Sequence, residues 1–167
     1  MISEILNSFE LNADQLRRLI ADLKQEEIFK QPAGCANHPA WTIGHLTCML
    51  YGLAGEPNLA DQLDISWKRT FASGISPIAD AAAYPPWETL LAAFEDACRR
   101  VRTRLRQLSE AELKERIPDE KRRQALPTIG HTLVHILVGH FAIYIGQLIV
   151  WRSGMGLPRI PESLEHS

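Results

Sequence analysis

The chain has few cysteines, no excess of basic residues and no apolar segment at its start, and each of these absences excludes a class of protein. Three cysteines, Cys35, Cys48 and Cys98, occur among 167 residues. Because an odd number cannot all pair within one chain, we expect no disulfide framework. The first residues carry no basic stretch followed by an apolar one, so we expect no secretory signal and a cytoplasmic location. The net charge of −2 argues against a nucleic-acid partner.

Signatures of several common enzyme classes are also missing. The sequence contains no glycine-rich phosphate loop and no Gly-x-Ser-x-Gly nucleophile motif. No segment alternates apolar and polar residues in the manner of a strand. The hydrophobic fraction of 46% and the charged fraction of 23% are those of an ordinary globular protein. We therefore expect residues 1–167 to form a single helical domain.

A long segment without charge lies near the end of the chain. From Ala125 to Trp151 there is no Asp, Glu, Lys or Arg, which by length alone would suit a transmembrane helix. Three histidines and three glycines within it argue against a membrane span, because polar groups inside a bilayer are costly. A helix that is apolar on all sides also fits the centre of a helical bundle, or a helix with a second face buried in a homodimer. We favour the buried helix and expect no membrane partner.

Apolar residues recur at spacings of three and four in four segments, which predicts four long helices. The first covers about 3–28, the second follows Asn37 as its N-cap, the third starts at Pro85, and the fourth runs from Pro127 to Arg152. Residues 56–84 are predicted to form a long connection with one short helical turn. Between the third and fourth helices, Ser109 to Glu112 form a capping box for a short helix, and the basic run 121–123 is predicted to be a solvated loop. The expected fold is all-α, a single four-helix bundle with a long connection between helices 2 and 3.

Two histidines stand in phase with apolar stripes on different predicted helices. His45 shares its face with Trp41 and Met49, and His140 shares its face with Tyr144, four residues later. A polar group in an apolar stripe needs a partner, which can be a side chain, a water molecule or a metal ion. Spacing alone leaves two interpretations open: core histidines satisfied by hydrogen bonds, or ligands of a metal.

The remaining histidines are expected to lie elsewhere. His131 and His135 are about 180° and 140° away from His140 around an α-helix, which predicts that all three cannot serve one site. We expect this pair on a partly exposed or dimer-facing side, and His38 in a loop or first helical turn. Cys48 lies one turn from His45, where a histidine could activate a thiol, although a small buried hydrophobic role is favoured.

Several segments together resemble the DinB-like superfamily. They are Pro39-Ala40-Trp41-Thr42-Ile43-Gly44-His45-Leu46, Gly139-His140, Gly146-Gln147-Leu148, Trp151-Arg152 and Gly156-Leu157-Pro158. The resemblance implies a four-helix bundle, often dimeric, with a divalent metal held by three histidines. One histidine comes from the second helix and two from the last, in the form His-x-x-x-His-x-Gly-Gln. Members with assigned activities include thiol S-transferases using bacillithiol or mycothiol and a mycothiol-dependent maleylpyruvate isomerase, in which the metal would hold the thiol as a thiolate.

Carried over to this sequence, the resemblance places the first two metal ligands at His45 and His140. The third position is Tyr144, whose phenol has a pKa of about 10 and ligates well only after losing its proton. Three outcomes follow, in our order of preference: a metal-free hydrogen-bonded cluster, a phenolate ligand, or a weak two-histidine site for zinc or nickel.

The functional expectation follows from this substitution. We expect a pocket between helices 2 and 4, lined in part by Trp41, Cys48 and Gln147, in a relative of metal-dependent thiol S-transferases whose metal site is degraded or altered. The ligand would be a small-molecule thiol or another small compound. A non-catalytic, dimeric helical bundle that binds a small ligand or a protein is the second hypothesis. An active divalent-metal-dependent S-transferase is the third.

Overall fold

The computed structural model describes residues 1–54 and 65–159, and over these residues the fold is all-α. The one extended pairing in that part of the chain is an isolated bridge between Arg116 and Thr128. The helices are α1 (Ile2–Ile20), α2 (Pro39–Leu53), α3 (Ile65–Thr70), α4 (Trp87–Gln107), α5 (Glu120–Arg123) and α6 (Ile129–Gly154). The all-α prediction is confirmed, and residues 56–64 of the predicted long connection lie outside the described part.

Helix α1 is shorter than predicted: it ends at Ile20 and does not continue to residue 28. The guanidinium group of Arg152, which is fully buried, binds the backbone where the helix ends. Its Nη1 donates a 2.7 Å hydrogen bond to the carbonyl oxygen of Leu19, and both terminal nitrogens bind the carboxylate of Asp22. The guanidinium thus satisfies one of the carbonyls that the end of a helix leaves without an amide partner, and it fastens the end of α1 to the end of α6.

The second helix begins one residue later than the sequence suggested. The N-cap is His38, whose Nδ1 accepts a hydrogen bond from the amide of Trp41, with Pro39 in the first turn. The predicted cap, Asn37, instead donates a 2.7 Å hydrogen bond to Oε1 of Gln147 on α6. A histidine was not expected as a cap because Asn, Asp, Ser and Thr dominate that position.

The core lies where α1, α2, α4 and α6 face one another, with the most extensive helix contact between α2 and α4. On α4 the predicted stripe is buried at most of its positions, including Phe94, Cys98 and Val101. The ring of Phe141 on α6 packs edge-on against Phe9 of α1, with centroids 5.9 Å apart. These contacts fix α6 against the other helices and thereby position its histidines.

Between α4 and α6 the prediction is partly confirmed. Glu112 and Ser109 form the reciprocal hydrogen bonds of a capping box, which opens a single 3-10 turn at Glu112–Lys114. The basic run predicted as a loop is helical, because it forms α5. The side chain of Asp119 caps this helix by accepting hydrogen bonds from the amides of Lys121 and Arg122.

Helix α6 contains a π-helical segment, Val134–His140, between two α-helical segments. A π turn bonds residues five apart, which changes the backbone partners of the carbonyl groups in it; the amide of Phe141, for example, bonds to the carbonyls of Ile136 and Val138. The side-chain amide of Asn12 on α1 donates to the carbonyls of Leu137 and Val138, at 3.0 and 3.2 Å. Asn12 therefore compensates the irregular turn from a neighbouring helix.

Helix α6 is also the one helix of the described residues that is long and apolar enough to cross a membrane. Its mean hydropathy over the best window is 1.9, and 39% of that window is buried within the protein. Core helices of soluble proteins satisfy the same criterion, so it is weak evidence for a span.

Candidate functional site

His45 is almost completely buried, with 1% of its surface exposed, and its ring is held from two sides. Its Nδ1 lies 2.7 Å from the carbonyl oxygen of Phe71, in the segment after α3. Because a carbonyl can only accept, Nδ1 carries the proton and Nε2 keeps its lone pair. The indole of Trp41 stacks on the imidazole at 4.8 Å with an interplanar angle of 8°, and its own Nε1 donates to the carbonyl of Thr70.

The close approach of Phe71 to α2 depends on a glycine. A Cβ at Gly44 would overlap three atoms of the Phe71 ring, so only glycine leaves room for this residue beside His45. Phe71 is itself buried, with 1% exposed. Gly44 therefore sets the position of the carbonyl that fixes the tautomer of His45.

His140 is half-buried on α6, and its Nε2 lies 3.3 Å from Nε2 of His45. This separation is longer than the usual N–H hydrogen bond of about 2.9–3.0 Å. Burial lowers the pKa of both imidazoles. At His45 the hydrogen bond to the Phe71 carbonyl opposes this effect. At His140 the neighbouring His45 and His135 lower the pKa further. Both rings are therefore held in the neutral form, which is the form that binds metals.

Tyr144 completes the cluster as an aromatic neighbour. Its ring centroid is 4.9 Å from that of His45 and 5.0 Å from that of His140, and 8% of its surface is exposed. Within the described residues its hydroxyl makes no hydrogen bond. Burial raises the pKa of the phenol above its ordinary value, so the neutral hydroxyl is favoured over the phenolate at neutral pH.

The prediction that His135 lies far from His140 is wrong. The two rings are 5.9 Å apart, because the π segment bonds residues five apart and so brings such residues close together along one side, whereas they would be about 140° apart in an α-helix. Both His131 and His135 are exposed, as expected. Even so, within residues 1–54 and 65–159 no group of three or more His, Cys, Asp or Glu side chains is arranged to hold a metal ion.

The other predicted pocket residues have different neighbours. Trp41 forms a wall of the cluster by stacking on His45. Burial raises the pKa of the Cys48 thiol to about 11, and its Sγ faces the carbonyl of Trp67 at 4.0 Å, so it is not an activated nucleophile. The amide oxygen of Gln147 is engaged by Asn37, which gives this residue a role in joining helices.

Three contributors were missed by reasoning from the sequence: Gly44, the Phe71 carbonyl and Asn12. Gly44 had a signal, since glycine inside a predicted helix points to a close approach of another segment. Backbone carbonyls carry no sequence signal, and Asn12 could not be assigned without knowing that a π turn lies opposite it.

Comparison with known proteins identifies a family and no individual relative. A family model described as the DinB superfamily matches residues 8–140, which is more than half of the chain. The match includes His45 and His140 and ends before Tyr144. Comparison with curated proteins and with solved structures gave no match.

Proposed function

Because the chain belongs to the DinB superfamily, we propose that His45 and His140 form a low-affinity site for zinc or nickel, which an exogenous thiol completes. The setting is a four-helix bundle in which the site lies between α2 and α6. The reaction class that suits such a site is the transfer of a small-molecule thiol to an electrophile. Metal binding is weaker than in a three-histidine relative, because position 144 supplies a phenol.

The observation that carries the proposal is the geometry of the two Nε2 atoms. At zinc–nitrogen distances of about 2.0–2.1 Å and a tetrahedral angle, two imidazole nitrogens on one ion stand about 3.3–3.4 Å apart. The separation in this protein is 3.3 Å. In addition, His45 donates its other ring proton to a backbone carbonyl, which is the arrangement that orients metal-binding histidines.

The donor set fits a metal only in part. Two neutral imidazoles are in position, but the described residues offer no third His, Cys, Asp or Glu. The raised pKa of Tyr144 opposes a phenolate ligand. Solvent or substrate atoms must therefore fill the remaining positions, and two histidines alone hold zinc weakly.

When bound, the metal would lower the pKa of a thiol and favour its thiolate form. The protein's own residues bind and orient. His45 presents the lone pair of its Nε2, and Nε2 of His140, 3.3 Å away, would serve as the second ligand in the tautomer that carries its proton on Nδ1. The indole of Trp41 shields one face of His45 from water. The ring of Tyr144 lies beside both imidazoles, and its neutral hydroxyl would donate a hydrogen bond to a substrate bound there.

The test is a zinc and nickel titration against a chromophoric chelator. The wild type should bind one ion per chain, and His45→Ala and His140→Ala should each remove that binding. The matched control is His131→Ala, since His131 is an exposed histidine on α6 outside the cluster. If the control removes metal binding as much as the two cluster variants do, or if the wild type binds none, the proposed site is wrong.

One observation favours the second hypothesis, a dimeric bundle that binds a ligand or protein without catalysis. Helix α6 leaves apolar side chains exposed to solvent, with Val134, Ile143 and Val150 exposed at 43%, 55% and 57%. An uncharged surface of this kind suits a homodimer. The oligomeric state of the wild type and of Ile143→Glu, measured by sedimentation, tests this homodimer. A wild type that is dimeric and a variant that is monomeric would support it. A wild type that stays monomeric at high concentration would exclude it.

A further inference from the structure

A cavity lies at the beginning of α6, and neither His45 nor His140 lines it. It has a volume of about 530 Å³, within the range of sites that bind small molecules. Its apolar lining includes Leu113, Leu126 and Val134. Gly130 forms part of the wall, where a Cβ would come within 3.0 Å of the carbonyl oxygen of Leu113, so the cavity floor is closely packed.

The ionisable side chains among the residues that line this cavity are all basic. The lining residues with ionisable side chains are Lys114, His131 and His135, and no carboxylate side chain lines the cavity. Met1 also lines it, but its terminal ammonium is paired with Glu4 and Glu110. The Thr128 hydroxyl, which also lines it, lies 2.7 Å from Nδ1 of His131 and helps to fix that ring. An apolar cavity with one cation and two imidazole groups complements a molecule with an apolar body and an anionic head.

We propose that this cavity binds an apolar small molecule with one carboxylate or sulfonate group, whose apolar body lies against Val134 and whose anion faces Lys114 and the two histidines. The site is separate from the one proposed for metal, but it is not remote from it. His135 lines the cavity, and its ring is 5.9 Å from that of His140. A ligand in the cavity would therefore lie next to the histidine cluster, with His135 between them.

The probes for the test are two fluorescent dyes of nearly the same shape, measured with a chelator present so that no metal contributes. 8-Anilinonaphthalene-1-sulfonate carries the anion, and N-phenyl-1-naphthylamine lacks it. We expect the wild type to bind one molecule of either dye per chain. Val134→Trp fills the cavity from a half-exposed position and should weaken binding of both dyes by about tenfold or more.

Two matched controls locate the dye. Leu11→Trp adds the same ring at an exposed position on α1 outside the cavity, and it should change binding by less than about twofold. If both tryptophan variants act equally, or if Val134→Trp has no effect, the dye binds elsewhere and the proposal is overturned. Lys114→Gln should weaken the sulfonate dye by about two- to fivefold and leave the neutral dye unchanged, whereas Lys121→Gln should change neither. Equal effects of Lys114→Gln on both dyes would overturn the anionic class of ligand.

A measurement on the wild type covers the case in which a variant fails to fold. In ¹H–¹⁵N spectra of the imidazole groups, the sulfonate dye should shift the signals of His131 and His135 and leave that of buried His38 in place. If the signals of His131 and His135 do not move at saturating dye, the cavity is not the binding site. Because no metal is present, this result does not depend on whether His45 and His140 bind zinc.

Discussion

The position of Phe71 depends on the absence of a side chain at Gly44, and replacing this glycine should disturb both stability and the site. In Gly44→Ala the new Cβ would overlap the Phe71 ring, which is 1% exposed and has no free space to enter. Overpacking of a core costs about 1–3 kcal/mol, and the better helix propensity of alanine returns about 1 kcal/mol. With a ring that cannot move away, we expect a net loss of about 2 kcal/mol.

The matched control is Gly52→Ala on the same helix. A Cβ at Gly52 would meet no atom within 4 Å, so the control should gain about 0.5–1 kcal/mol from helix propensity alone. In thermal unfolding, Gly44→Ala should melt about 4–8 °C below the wild type, and the control at or above it.

The same substitution should weaken metal binding, because it displaces the carbonyl that holds Nδ1 of His45. Loss of such a supporting bond typically reduces metal affinity about 10–100-fold, measurable by zinc titration against a chelator. If Gly44→Ala is as stable as Gly52→Ala and binds zinc as the wild type does, then Phe71 neither packs on Gly44 nor supports His45.

Three further predictions concern the rest of the framework. Asp22→Asn leaves the buried guanidinium of Arg152 without its anion, and urea unfolding should show a loss of about 2–4 kcal/mol; a loss below about 0.5 kcal/mol would contradict the anchoring role. Burial lowers the pKa of His38, so the unfolded chain binds a proton at this residue more tightly than the folded chain does. The free energy of unfolding should therefore be highest above about pH 6.5 and should fall as the pH drops towards the lowered pKa. His38→Asn, which keeps an acceptor for the cap, should show a smaller fall. Asn12→Leu removes two hydrogen bonds from the π turn and should cost about 1–3 kcal/mol in urea unfolding, with an unchanged midpoint as the contrary result.

Periodicity predicted the helices that carry the core but not their irregularities. The stripe of α4 could be predicted because burial alone determines it. The contact that secures the end of α1 could not, because it comes from Arg152, about 130 residues later, which binds the carbonyl of Leu19. The cap at His38 was also missed, since its choice depends on tertiary contacts of the imidazole with Tyr84 and the carbonyl of Ile78.

In the candidate site, too, some contacts could be predicted from the sequence and others could not. The pairing of His45 with His140 was expected from their apolar stripes and from the family resemblance, and the two rings do meet. The approach of His135 was excluded by assuming 3.6 residues per turn throughout α6. The π turn changes that angle, and it is held by Asn12 of another helix, so local spacing could not reveal it.

The most direct test of the proposed site is the affinity for zinc of Tyr144→His compared with that of the wild type. Tyr144 lies about 5 Å, ring to ring, from both histidines, so an imidazole at that position would supply the missing third ligand. We predict weak binding by the wild type, binding at least about 100-fold tighter by Tyr144→His, and loss of that gain when His140→Ala is added. Equal affinity of the wild type and Tyr144→His would contradict the account, because position 144 would then not determine metal binding.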